Sequence, residues 1–414
     1  MQERDFRLWW LASIGMGIST QMLAVAIGWE VYSQHRSPLY LGLIGLAEFI
    51  PMFVFALPAG QLADRVPRRL LFAVSLVLAA GVGLGLAVLS ASGDTSIWPY
   101  LALAFGAGTA IAVGTPASRA MTPTLVPLEH LASAMTLRSI STQLGQVVGP
   151  ALGGLLYGIS GVLVYSLAAA TCLLSSLCVI AMHPRPAAEV VGEGPGTAPG
   201  FDSVLEGLRF VGRTQILLGA ILLDLLAVLF GGAVALLPVF ARSILHVGPT
   251  GVGFLRAAPA LGALLAAGVI TRRPLGGRAG RTLLIVVGLF GASIVVFGLS
   301  RVYLLSFIAL GVSGFVDLYS MNIRGTIVAL ATPDGLRGRV MAVEMVFISA
   351  SNELGAFESG LAAFLVGTVP AVVGGGLITM ALAATWSRFF PALANVDRLE
   401  EVTPATSSAL EVVA

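Results

Sequence analysis

The chain has no lysine: all 23 residues in its lysine-plus-arginine count are arginine. A phosphate-binding GxxxxGK(S/T) loop is therefore impossible within it, and ATP hydrolysis by that route is excluded. Charge of either sign is scarce, at 11% of 414 residues. There are two cysteines, Cys172 and Cys178, six positions apart in one apolar stretch. They leave a helix on different sides, and no metal-ligand spacing surrounds them. The four histidines, His35, His130, His183 and His246, are scattered through loop-like positions, which leaves a membrane enzyme without a converging acid–base or metal set. No nucleotide, haem or metal site is legible, so no cofactor and no nucleic-acid partner is expected. The amino terminus, MQERDFRLWW, runs straight into an apolar stretch without the cleavage pattern of a signal peptide.

What the sequence has in abundance is apolar surface. Hydrophobic residues make up 57% of the chain and the mean hydropathy is +0.94, more than a soluble core of this size can hide. Windows of about twenty apolar residues, the length that crosses a hydrocarbon layer of roughly 30 Å, recur about twelve times up to Pro391. They are rich in Gly and Ala, as suits helices that approach closely in lipid, and they lack the alternation of barrel strands. The expected fold is all-α, with twelve transmembrane helices in two pseudo-symmetric six-helix bundles.

The arginines orient these spans. Arg65, Arg68 and Arg69, then Arg185, Arg209 and Arg213, then Arg272, Arg273, Arg278 and Arg281, then Arg337 and Arg339 fall in alternate loops. Positive charge marks the cytoplasmic side, and an even span count then places both termini there. The segment 183–212 is polar and rich in Pro and Gly, and reads as a linker ending in a short surface helix over 204–213. It separates bundles at 1–182 and 213–391, followed by a tail at 392–414 expected to be disordered.

The two halves repeat. At an offset of 208, Gly45 falls on Gly253, Pro51 on Pro259, Gly60 on Gly268, Glu48 on Arg256 and Asp64 on Arg272. At an offset of 206, Pro127 falls on Pro333, Arg138 on Glu344, Gly149 on Gly355 and Gly154 on Gly360. The frame keeps helix-shaping residues while several charges invert, which points to a duplicated helical unit of the kind that builds two bundles around a central site.

One loop stands out, GQLADRVPRR (60–69), a dense charged cluster between two apolar spans. It resembles the first signature of the major facilitator superfamily, with Gly60, Asp64, Arg65, Arg68 and Arg69 at the expected spacing and Pro67 where glycine is usual. GQVVGPALGG (145–154), with Gly145, Gly149, Pro150, Gly153 and Gly154, is similar to the helix motif associated with exporters. Its glycines are expected to let the fifth span lie close to the eighth. The overall order, including ATPDGLRGRVMA (331–342), resembles the branch of drug and siderophore efflux proteins that contains the enterobactin exporter.

The resemblance implies a monomeric inner-membrane secondary transporter that moves a small amphipathic molecule by alternating access, with protons as the coupling partner. It assigns the loop around Asp64 to a cytoplasmic gate. It places spans one, four, seven and ten around the cavity, which selects Gln21, Arg119, Asn322 and Arg324 as substrate candidates and Asp224 and Asp317 as proton-coupling candidates. Carboxylates near mid-membrane are suited to take up and release a proton; equally, each of the two can pair with an arginine and stay ionised. Glu48, Arg138, Arg256 and Glu344 fall on spans expected at the seam between the halves.

Overall fold

The computed structural model describes residues 2–183, 201–272 and 277–397. Among them every regular element is a helix. The first six long helices are α1 (Gln2–His35), α2 (Pro38–Arg65), α3 (Arg68–Ser92), α4 (Ile97–Leu125), α5 (Leu131–Tyr157) and α6 (Gly161–Ile180). A short α7 (Phe201–Arg213) follows, then α8 (Gln215–Gly231), α9 (Leu237–Val239), α10 (Pro249–Arg272), α11 (Ala279–Leu299), α12 (Tyr303–Ala331), α13 (Arg337–Val366), α14 (Thr368–Phe389) and α15 (Pro391–Ala394). Eleven stretches among the described residues are long and apolar enough to cross a membrane. The twelfth long helix, α5, carries Arg138 and a series of Ser, Thr and Gln residues, of which Thr136, Ser139, Thr142 and Gln146 are exposed.

Many large apolar side chains on these helices are exposed, Val88 at 69% and Leu174 at 63% among them. Such surface is unfavourable in water and favourable against acyl chains, so the outward faces are lipid-facing while the inward ones supply the cores.

The described residues form two compact units, one within Met1–Ala198 and Ala235–Ala257, the other within Pro199–Val234 and Ala258–Ala414. Each is built on glycine-mediated close approaches, and these recur at repeat-related positions. A Cβ on Gly149 would stand 2.9 Å from the carbonyl oxygen of Ile18, and one on Gly355 would stand 3.1 Å from that of Leu229. Gly108 lies against the backbone of Glu48 in the first unit, and Gly314 against that of Pro259 in the second. The turns echo as well. Arg36 after α1 and His246 before α10 both adopt left-handed backbone, with φ of 55° and 53°, and each leads within three residues to the proline that opens the next helix. Bulkier residues rarely accept this conformation, so its recurrence marks the same tight connection built twice.

Three expectations need correction. The seventh span, one of the twelve expected helices, is broken: α8 stops at Gly231, a 3₁₀ turn runs over Ala233–Leu236, and α9 leads into a π-turn at Phe240–Ile244. Gly232 takes a non-helical backbone (φ −75°, ψ 67°) with its own helix's Val228 carbonyl close by, and consecutive glycines give little resistance to such a break.

The surface helix begins at Phe201 and docks on protein. Phe210 and Val211 are buried in a core that includes Leu336 and Val340, while Leu208 is 42% exposed. Glu206 also meets Arg339 at 2.7 Å.

Residues 392–397, expected in a disordered tail, are ordered. Leu393 is fully buried, and the carbonyls of Val396 and Asp397 accept hydrogen bonds from Gly280 (2.9 Å) and Ala279 (3.0 Å). The first N–H groups of a helix need external acceptors, and this segment supplies two of them to α11. Residues 398–414 and most of the linker, 184–200, lie outside the described set, as does Arg273.

Candidate functional site

The first unit holds an open pocket of about 290 Å³ lined by α1, α4 and α5. Two tryptophans fix its walls: the Trp9 indole N–H donates to the carbonyl of Ser118 on α4 (3.3 Å), and the Trp10 indole N–H to that of Leu137 on α5 (2.8 Å). At its floor Gly17 and Gly145 let α1 and α5 approach, because a Cβ on Gly145 would stand 3.0 Å from the Cα of Gly17. Gln21 and Arg119, both expected at a substrate cavity, line this pocket together with Arg138, expected instead at a seam. Hydroxyls and amides complete the polar lining, and Met16 and Ile111 give it an apolar wall.

The exporter-like motif is more divided than its sequence suggests. Gly145, Gly149 and Gly153 recur every four residues, so they share one helix face, and that face meets α1 at Gly17, Ile18 and Met22. Only Gly154, one position on, turns toward the eighth span, where Gly253 and Pro249 approach it. The expected contact with the eighth span thus belongs to one glycine of the four. The carbonyl of Pro150 adds to it, lying against Gly253.

In the charged loop, Gly60, Asp64 and Arg65 are on the last turns of α2, and their side chains lie outside the described set. Arg68 donates to the carbonyl of Ala120 near the end of α4 at 3.1 Å, and Arg69 donates to the carbonyl of Met182 just beyond α6. Cations at helix carboxyl ends satisfy orphan carbonyls and complement the dipole. These two arginines therefore tie α3 to the ends of two neighbours.

The second unit contains a buried ion pair. Asp224 on α8 and Arg324 on α12 are in direct contact, and their side chains are only 10% and 4% exposed. This pairing, one of the alternatives the sequence leaves open, assigns Arg324 a protein partner. Asp317 is half-buried on the same helix, seven residues and about 10 Å of axial rise before Arg324. Asn322 is exposed and its amide donates to the carbonyl of Leu318 in its own helix (2.9 Å). Glu48, Arg256 and Glu344 are half-buried on α2, α10 and α13. No cluster of His, Cys, Asp and Glu suited to a metal ion occurs among the described residues.

Sequence reasoning missed Glu30. It lies inside the first span, 4% exposed, and accepts hydrogen bonds from the phenols of Tyr165 (2.5 Å) and Tyr100 (3.0 Å). Gln34 donates to Tyr100 at 3.1 Å, extending the network. An acidic residue within an apolar span was signal enough to flag it. Arg242 is on the π-turn, with its guanidinium 5.5 Å from the Trp29 ring centroid and bonded to the Ser33 hydroxyl.

With this geometry in hand, comparison with known proteins is informative. The enterobactin exporter of Citrobacter koseri is 29% identical over 93% of this chain and 93% of its own length. That of Shigella boydii serotype 18 is 29% identical over 81% of this chain and 79% of its own. Among solved structures, a bacterial homologue of the human lysosomal transporter Spinster, inward-facing and unoccupied, superposes with a TM-score of 0.76 at 16% identity, covering 95% of this chain and 98% of that one. A D-xylose–proton symporter does so with a TM-score of 0.64 at 13% identity, covering 94% and 98%. At such identities these two establish the fold alone, the twelve-helix fold in two six-helix bundles. The transmembrane secretion effector family profile matches residues 1–410, and the chain belongs to that family of major facilitator membrane transporters.

Proposed function

We propose that this protein exports a small amphipathic molecule across the inner membrane by alternating access, driven by proton exchange, as a monomer with both termini in the cytoplasm and without enzymatic activity. In this reading 1–182 and 213–391 are the two moving bundles, and Asp64 latches the cytoplasmic side with Arg65, Arg68 and Arg69 orienting its loop. The observation that carries the reading is the buried contact of Asp224 with Arg324, with Asp317 on the same helix. Ionisable groups buried within membrane spans are costly, and they are retained chiefly where a pathway or a relay needs them. Exchange of a proton between solvent and either carboxylate would make and break the pair as access alternates.

The test is reconstitution into vesicles with an imposed pH gradient and a panel of candidate substrates, comparing the parent with Asp224→Asn and Asp317→Asn. Gradient-driven accumulation in the parent and its loss in at least one variant is the expected result. Movement that ignores the gradient in the parent would establish a facilitator instead, and accumulation inward against the physiological direction would establish uptake. Unchanged coupling in both variants would remove the assignment of these residues. The gate assignment predicts a larger switching defect for Asp64→Asn than for its repeat counterpart Arg272→Gln; equal transport defects would overturn it.

A further inference from the structure

The pocket of the first unit carries a charge signature that narrows the substrate. Among the described residues its ionisable lining consists of Arg119 and Arg138, and none of those that line it is acidic. Both side chains line this one pocket, so two like charges share a small volume. Repulsion between like charges in a site partly shielded from water raises the energy of the empty pocket, and an anion placed against both relieves it.

The hydroxyls sharpen the point. Ser13 donates its proton to the carbonyl of Trp9 (2.9 Å), and Ser141 and Thr142 donate theirs to that of Arg138 (2.7 and 3.2 Å). Those three hydroxyls cannot serve a ligand as donors without giving up bonds inside their own helices. The lining donors that carry positive charge are the guanidiniums, one of which, Arg138, also reaches the Met135 sulfur at 4.0 Å, and the amides of Gln21 and Gln146 stand beside them. A guanidinium presents a planar fork of N–H groups that matches the paired oxygens of a carboxylate or phosphate. The half-buried apolar side chains of Met16 and Ile111 face the same space and suit a hydrocarbon or aromatic body.

We infer that this pocket binds an organic anion, with Arg119 and Arg138 holding a carboxylate- or phosphate-like head and Met16 and Ile111 holding its apolar portion. The inference rests on the transport reading above for its biological sense, since it names the class of molecule moved. Two sources can supply this chemistry, a soluble amphipathic anion or the headgroup of an anionic lipid.

The experiment measures equilibrium binding of four probes with a common aromatic body to the full-length protein in neutral detergent. The probes are phenyl phosphate, benzoate, uncharged benzyl alcohol and cationic benzyltrimethylammonium, read by indole fluorescence and by an independent radioligand or calorimetric isotherm. Phenyl phosphate and benzoate are expected to bind more tightly than the other two. Arg119→Gln and Arg138→Gln are each expected to weaken phenyl phosphate by about tenfold or more, the scale of one charge-assisted hydrogen bond, without changing benzyl alcohol. Arg119→Lys and Arg138→Lys, which keep the charge, should retain part of the affinity and guard against a folding artefact.

Equal affinity for all four probes, or phenyl phosphate binding indifferent to both Gln variants, overturns the site. Repeating the isotherm in phosphatidylcholine nanodiscs with and without phosphatidylglycerol separates the sources: competition by phosphatidylglycerol assigns the site to lipid, and its absence to a soluble anion. Counterflow in vesicles is scored separately. Anion binding without any counterflow would refute the transport reading and leave the site standing, whereas counterflow of the cationic probe alone would refute the site and leave transport standing.

Discussion

The two units each bury a carboxylate among their helices and satisfy it with opposite chemistry. In the first, Glu30 is held by the neutral phenols of Tyr100 and Tyr165. In the second, Asp224 is held by the Arg324 guanidinium. Phenols lower the energy of a buried anion through hydrogen bonds while leaving its charge in place; a guanidinium cancels the charge as well. Replacing Glu30 by a neutral residue therefore leaves hydroxyls that can rotate and rebond, whereas neither member of the Asp224–Arg324 pair can be replaced without stranding the other. The second unit is consequently the one in which loss of a single charge leaves its partner buried without compensation.

That contrast breaks most visibly at Arg324. Arg324→Gln leaves Asp224 buried without its cation, and removal of one partner from a buried pair costs about 3–5 kcal/mol. Asp224→Asn combined with Arg324→Gln removes both charges, and more than half of that loss should return. Unfolding of the three variants and the parent in one detergent forms a double-mutant cycle. Strictly additive effects would show that the two side chains do not depend on each other.

At Glu30 the same operation is milder. Glu30→Gln removes the charge but preserves an oxygen acceptor for one phenol, and the amide can donate to the oxygen of the other. The expected loss is about 2 kcal/mol, the range of hydrogen bonds to a charged group. Tyr165→Phe, which deletes the 2.5 Å donor, should cost a similar amount in the parent and clearly less in the Glu30→Gln background. A loss at Glu30 as large as that at Arg324 would mean that the phenol cage does more than neutral donors can, and the distinction between the units would fail.

The repeat offers a finer comparison. Gly149 and Gly355 are repeat-related and each faces a neighbouring backbone, whereas a Cβ at Gly268 would meet nothing within 4 Å. Gly149→Ala and Gly355→Ala should each destabilise by about 1–2 kcal/mol, because backbone cannot give way as a side-chain tip can. Gly268→Ala lies within a helix and in open space, so it should stabilise by up to about 1 kcal/mol. Unfolding curves for the three variants decide between glycine kept for contact and glycine kept by descent.

These comparisons also show which parts of the molecule were legible in advance. Lipid demands long apolar helices, and the spacing of Gly145, Gly149 and Gly153 fixes a helix face, so the architecture and the close approaches follow from local pattern. Partner choice does not. Glu30 meets phenols 70 and 135 positions away, and Asp224 meets Arg324 at a separation of 100. No periodicity encodes which helix faces which at that depth. Sequence logic brought Gln21 and Arg119 to one cavity but placed Arg138 at a seam, since a helix has several faces and span numbering assigns it only one role. The break after Gly231 and the ordered residues 392–397 were missed for a related reason. Consecutive glycines permit a break without requiring it, and a polar tail becomes ordered only where helix N–H groups, here those of Ala279 and Gly280, need acceptors.

The smallest effect is expected where an ion pair is least buried. Glu206 and Arg339 stand 2.7 Å apart, yet their side chains are 48% and 37% exposed. Water and salt screen such a pair, and its worth is about 0–1 kcal/mol. The apolar contacts of Phe210 and Val211 lie deep in the core of their unit, so they and not the ion pair hold α7 against the start of α13. Glu206→Gln should leave unfolding almost unchanged and insensitive to added salt, while Phe210→Ala should cost about 3–5 kcal/mol and expose α7 to proteolysis. If Glu206→Gln released α7 as readily as Phe210→Ala, the charged contact would rank with the buried pair at Asp224, and exposure would no longer separate the strong ionic contacts of this protein from the weak ones.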